Sequence, residues 1–165
     1  MATHTLNIID DEHFDFDIFS ITSTETIYTI INALNQELNI DFKLKDLLDF
    51  SHKDGENFYF PLYTFWHNEL NIEFNLISNQ TSFQPPETKN VNSAFDLFAG
   101  DVERTTKLLP ELENSDYFLI IKGDNRYMHN FSIFEAIKKN ENFITVYEIY
   151  LENLKDKKAK TNLLF

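Results

Sequence analysis

The sequence predicts an α+β domain. The expected form is a mixed, mainly antiparallel sheet with two principal helices on one face, in a ferredoxin-like or ACT-like β-α-β-β-α-β order with a long loop insertion. Three observations carry this. The run Tyr117-Phe118-Leu119-Ile120-Ile121 is apolar without interruption. A strand with one face in water alternates, so this run predicts a central strand covered on both faces. Ile27, Ile30, Ile31, Leu34 and Leu38 recur at the spacing of one helix face. Leu70, Ile72, Phe74 and Leu76 alternate with Asn71, Glu73 and Asn75, the pattern of a half-buried strand.

The remaining elements follow in chain order. Asp10-Asp11-Glu12-His13 sets carboxylates beside a histidine. Adjacent side chains converge on one ion only in a turn-forming loop, and EF-hand spacing is missing, so the stretch reads as a solvated loop. Phe14–Ser23 reads as a strand with Phe14, Phe16 and Ile18 on one face and Asp15 and Asp17 on the other. Phe19 and Ile21 then fall on the wrong face, which requires either a bulge or burial of both faces. Thr22-Ser23-Thr24-Glu25 has the form of a capping box with Thr22 as N-cap, predicting a helix over about residues 23–38. Residues 40–50 read as a short extended piece and then a helical turn, and residues 52–56 as a turn. Residues 57–66 and 70–79 read as a hairpin with Trp66 and His67 near its tip. Pro61 cannot donate to a ladder, which places the first strand at an edge.

Residues 80–106 change character. Gln84-Pro85-Pro86-Glu87 is polar and proline-bearing, and a long, partly disordered loop is expected. Within it Phe95, Leu97 and Phe98 form an apolar island that either folds onto a partner or caps the domain's own core. Pro110 suits the first turn of a short helix. After the central strand, Lys122, Arg126 and His129 gather near a strand's C-terminal end, where open sheets bind ligands. They are the candidates for an anion or small-ligand pocket. Residues 130–140 read as a helix and 143–151 as a strand. Residues 152–165 form a Lys-rich tail whose apolar ending, Leu163-Leu164-Phe165, suggests docking on the fold or on another protein.

The length, 165 residues, fits a single domain that buries a core without staples. Seventeen Phe and seven Tyr supply that core. Three glycines, in no phosphate-loop pattern, argue against nucleotide-binding loops. The lack of cysteine excludes disulfides, Cys-ligated metals and a thiol nucleophile. The N-terminus lacks a signal-peptide pattern, and no apolar run approaches the roughly 20 residues of a spanning helix. A cytoplasmic protein with no membrane contact is expected. The net charge of −13 disfavours direct nucleic-acid binding and favours basic partners.

Leu109-Pro110-Glu111, three residues, then Ser115-Asp116-Tyr117 resembles the signature of the IPExxxVDY family, small proteins of the Bacteroidota. Leu109 and Ser115 stand where that motif has Ile and Val. The early Asp15-Phe16-Asp17 and the ending Lys160-Thr161-Asn162-Leu163-Leu164-Phe165 are also similar to that family. The resemblance implies no catalytic residues, and no cofactor is expected from the sequence. Genes of the family lie beside those for ribonuclease III and pyruvate kinase, which implies an RNA-processing or ribosome-linked partner. Glu111 and Asp116 have two readings, a structural one as cap and strand-start hydrogen bond, and a functional one as a docking edge beside Tyr117.

No nucleophile elbow, zinc-protease helix or Walker motif occurs. Three functions stay open at this point: an acidic, non-catalytic adaptor or assembly factor for a basic protein, a small-ligand regulatory domain, and a metal-dependent enzyme using Asp, Glu and His. The oligomeric state is not legible.

Overall fold

A computed structural model describes residues 15–51, 57–82, 104–155, 161–163 and 165. The chain runs β1 (Phe16–Thr22), α1 (Ile27–Leu38), β2 (Lys43–Ser51), β3 (Asn57–His67), β4 (Ile72–Ser78), β5 (Gln80–Ser82), β6 (Thr105–Lys107), β7 (Tyr117–Lys122), α2 (Arg126–Lys138) and β8 (Thr145–Ile149), then a 3₁₀ turn at Leu151–Asn153. Six strands form one sheet in the order β2-β3-β4-β7-β1-β8, and every neighbouring pair is antiparallel. Without β2 and β3, the order β4-β7-β1-β8 is that of a split β-α-β unit pair. β2 and β3 widen that sheet beyond β4, so the α+β class and the β-α-β-β-α-β frame both hold.

The period of two sorts the strands' side chains onto two faces. On one face Phe19, Ile21, Phe74, Leu76, Leu119 and Ile121 pack under Ile30 and Leu34 of α1 and Ile133 and Ile137 of α2. On the other, Ile18, Phe60, Leu62, Ile77, Phe118 and Ile120 pack under Leu108, Leu109, Leu154 and Leu163. β7 is therefore buried on both sides, as its unbroken apolar run predicts. The same double cover explains Phe19 and Ile21. β1 needs no bulge there, because both of its faces are inside and it is paired continuously with β7 from Phe16 to Ile21. The C-terminal segment docks on its own domain: Leu154 and Leu163 are buried.

Several boundaries differ from expectation. α1 begins at Ile27 with Thr26 as N-cap and no side-chain cap. Thr22 is still in the sheet, opposite Thr145, and its hydroxyl donates to Asn114 O at 2.7 Å, so it cannot cap a helix. β2 is a continuous strand through Leu47 and Leu48, with a register shift between Leu44 and Asp46. That shift breaks the alternation and imitates a helical turn. β3 lies between β2 and β4 rather than at an edge. Pro61 is tolerated because it sits just outside the β3–β4 ladder, which starts at Leu62↔Ile77, so no bond to β4 is lost. Both ends of the expected long loop are strands, since β5 pairs with β6. Phe95, Leu97 and Phe98 lie outside the described residues, as does Asp10–His13.

Gly123 turns the chain from β7 into α2 with φ 123°, and a Cβ there would meet Asn71 O at 2.4 Å. Both the positive φ and the close backbone require glycine.

Candidate functional site

The segment between β6 and β7 is two successive tight turns, not the short helix expected from Pro110. Leu112 N donates to Leu109 O and Ser115 N to Leu112 O, each at 3.1 Å. Pro110 occupies the second position of the first turn, where its fixed φ is favourable. Asn79, fully buried, clamps the turns. Its Nδ2 donates to Leu112 O at 3.0 Å and Ser115 O at 2.9 Å, and its Oδ1 accepts from Leu109 N at 2.9 Å. Nothing in the sequence marks Asn79, because its three partners lie 30 to 36 residues away.

The residues of the resembling motif each hold a piece of the fold. Glu111 Oε2 accepts from Lys155 N at 2.9 Å, tying down the start of the C-terminal segment. Asp116 Oδ2 accepts from Ser23 N at 2.9 Å, fixing the junction of β1 and α1. Tyr117 OH donates to Glu25 O at 2.6 Å. Burial raises the Tyr117 pKa above the ordinary phenol value, with smaller contributions from Asp116 and Glu25. The motif end of the sheet is thus joined to α1 and to the C-terminal segment. Replacing Asp116 by alanine strands the buried Ser23 N–H, and a loss of about 1–3 kcal/mol in urea unfolding is expected. Asp116→Asn, which keeps an acceptor, should recover part of it. Equal losses in the two variants would dismiss the hydrogen bond as the cause.

Two open clefts flank Asp116. One, of about 500 Å³, is lined by Ser23, Glu25, Ser78, Thr81, Asp116 and Tyr117 among others. The second, of about 680 Å³, is lined by Thr22, Glu113, Asn114, Asp116, Thr145 and Tyr147. Every side chain lining the second cleft, and every one but Pro61 lining the first, carries a carboxylate, amide or hydroxyl, and neither lining contains a lysine or arginine among the described residues. Such walls accept hydrogen bonds and favour positive charge.

Lys122, Arg126 and His129 are not brought together. Lys122 lies on the face of the sheet under the C-terminal segment. Its Nζ donates to the main-chain oxygen of Phe165 and sits 4.7 Å from the Phe165 ring centre. Burial lowers its pKa, against the raising effect of Glu73. Arg126 lies on the helix face and is 3% exposed. Its Nη2 is 2.5 Å from Asp15 Oδ1 and its Nε 3.6 Å from Asp17 Oδ2. The 3.6 Å separation is an ion pair rather than a hydrogen bond, which leaves Nε and Oδ2 without hydrogen-bond partners. His129 is half-buried one turn along α2. Among the described residues, no group of three or more His, Asp or Glu is placed to hold a metal ion. No described helix is long and apolar enough to cross a membrane.

The fold and the site define an α+β domain with an acidic, hydroxyl-lined end. Comparison of the chain with protein-family models, curated proteins and solved structures finds no match.

Proposed function

We propose that this protein is a non-catalytic acidic adaptor or assembly factor that binds a basic cytoplasmic protein or complex. The observation that carries this is the pair of clefts around Asp116. Both are rich in carboxylate and hydroxyl acceptors and lack a cation in their described linings, on a chain of net charge −13. A basic partner is drawn to such a surface from a distance, and its ammonium or guanidinium groups find acceptors on arrival. The resemblance to the IPExxxVDY family adds an RNA-processing or ribosome-linked setting for that partner.

The motif carboxylates favour a binding role over a catalytic one. Glu111 and Asp116 already accept main-chain hydrogen bonds, an arrangement suited to holding loops rather than moving protons. The alternative, a small-ligand domain with an anion pocket at Lys122, Arg126 and His129, draws little from the arrangement. Lys122 and Arg126 already have partners and lie on opposite faces of the sheet.

The test is affinity capture from the native cells at low and moderate salt, followed by reconstitution with the purified partner. One stoichiometric basic protein, released by salt, is expected. Glu113→Lys, at an exposed position in the second cleft, should weaken the reconstituted complex about tenfold, which corresponds to roughly 1.4 kcal/mol. Recovery of the protein alone at both salts would end the adaptor reading.

A further inference from the structure

We infer that the outer edge of β8, with the aromatic patch of α2 beside it, is the surface on which an extended, basic segment of a partner protein adds as a further strand. This rests on the adaptor reading and assigns it a place and a mode.

The sheet has two edges, β2 and β8, and they are built differently. β2 carries Lys43, Lys45, Asp46 and Asp49 and a register shift between Leu44 and Asp46. Charges and bulges on an edge strand are the devices that prevent strand addition. β8, Thr145-Val146-Tyr147-Glu148-Ile149, has no lysine, arginine or proline. Its pairing with β1 shows no register shift, and among the described residues nothing pairs with its other side. Asn79 N donates to Asp116 O at 2.7 Å, which sets the phase of the ladder across β4, β7 and β1. Alternation then turns the main-chain N–H and C=O of Val146 and Glu148 outward.

Beside this edge stand large apolar side chains in water. Tyr127, Met128 and Phe131 of α2 are 69%, 74% and 76% exposed, and Tyr150, just past β8, is 56% exposed. Glu148 joins the two elements. It accepts from Asn130 Nδ2 at 3.2 Å and from Tyr150 OH at 3.1 Å. Tyr150 and the α2 patch therefore lie on the same side of the sheet. An exposed apolar patch next to an unpaired edge is the arrangement used in strand-addition complexes.

The charge on both sides of β8 selects the occupant. The patch is bordered by Asp15 and Glu148, and the opposite side of the strand opens into the cleft of Glu113 and Asp116 beside Thr145 and Tyr147. Side chains of an added strand alternate between these two sides. The fitting segment therefore alternates apolar residues, which cover Phe131 and Tyr150, with lysine or arginine, which enters the cleft. A second copy of this chain, also at net charge −13, is a poor occupant because like charges would face each other.

The test uses the full chain and three synthetic peptides. One alternates lysine and valine, the second alternates glutamate and valine, and the third is the lysine peptide N-methylated at alternate residues so that it cannot pair along one edge. Titrations are read by fluorescence anisotropy and by amide NMR shifts. The lysine peptide is expected to bind one to one and to shift the Val146 and Glu148 amides. N-methylation, and Phe131→Ala or Tyr150→Ala in the protein, should each weaken it about tenfold. Equal binding of the N-methylated peptide, or shifts confined to the Asp116 clefts, would overturn strand addition while leaving the adaptor reading intact. A β8-mediated dimer of the free protein would overturn it in favour of a second copy. Failure of the lysine peptide to bind, while a natural basic partner is captured by a surface unaffected by Phe131→Ala and Tyr150→Ala, would overturn this inference alone; failure of both peptide and capture removes the adaptor reading with it.

Discussion

Phe118→Ala is expected to destabilise the fold by about 3–5 kcal/mol, a loss comparable with the whole stability of a small domain. Phe118 is fully buried. It projects from the central strand into the layer formed with Ile18, Ile120 and Ile77 below and Leu109, Leu154 and Leu163 above. Truncation removes the ring's apolar area and leaves a cavity that neighbours on three strands cannot close, because their ladders hold them in place. Urea unfolding measures the loss. Phe131→Ala is the control, since at 76% exposure it should change stability by no more than about 0.5 kcal/mol. A loss below about 1 kcal/mol for Phe118→Ala would mean that the C-terminal segment does not close this face in solution.

Arg126→Met is the second large effect, with a destabilisation of about 3–5 kcal/mol at neutral pH. Methionine keeps much of the arginine's bulk, so the loss reports charge and hydrogen bonding rather than packing. In the native protein Arg126 faces Asp15 and Asp17 and donates to Gly123 O at 3.1 Å. Without it, the half-buried Asp17 carboxylate keeps no cation partner among the described residues and has Glu148 nearby. The pH dependence separates this from a simple cavity. Burial raises the Asp17 pKa above 3.8, Arg126 lowers it, and Glu148 raises it. The net shift is upward, so Asp17 contributes stability that is present below the unfolded pKa and is lost as pH rises through the folded one. Removing Arg126 takes away the main lowering influence and enlarges that loss. The gap in unfolding free energy between the native protein and Arg126→Met should therefore be widest at neutral pH and narrow as the solution is acidified toward the unfolded carboxyl value. A gap independent of pH would show that Asp17 is not the group left uncompensated.

Much of the candidate site is visible in the sequence as residues but not as roles. Glu111, Asp116 and Tyr117 stand out through the motif they resemble. Their functions in the fold depend on Lys155, Ser23 and Glu25, which no local pattern connects to them. Lys122 and Arg126 are four apart and look like neighbours at the end of a strand. The parity of β7 sends Lys122 to one face, and the Gly123 turn sends Arg126 to the other. The exposed patch at Tyr127, Met128 and Phe131 is equally hidden, because aromatic residues in a helix read as core until the position of α2 at the sheet's edge is known.

The sequence by itself determined the α+β class, the helix carrying the Ile27–Leu38 stripe, the alternating β4 and the doubly buried β7. Each is a periodicity in burial, and burial acts on every residue in turn, so it is written into consecutive positions. Only the tertiary structure decided that β2 is a bulged edge strand, that Pro61 is harmless inside the sheet, that Thr22 belongs to β1 rather than to a helix cap, and that the C-terminal leucines roof the second face. Those outcomes rest on ladder register and on partners far apart in the chain. Their energies arise between segments, so no single segment records them.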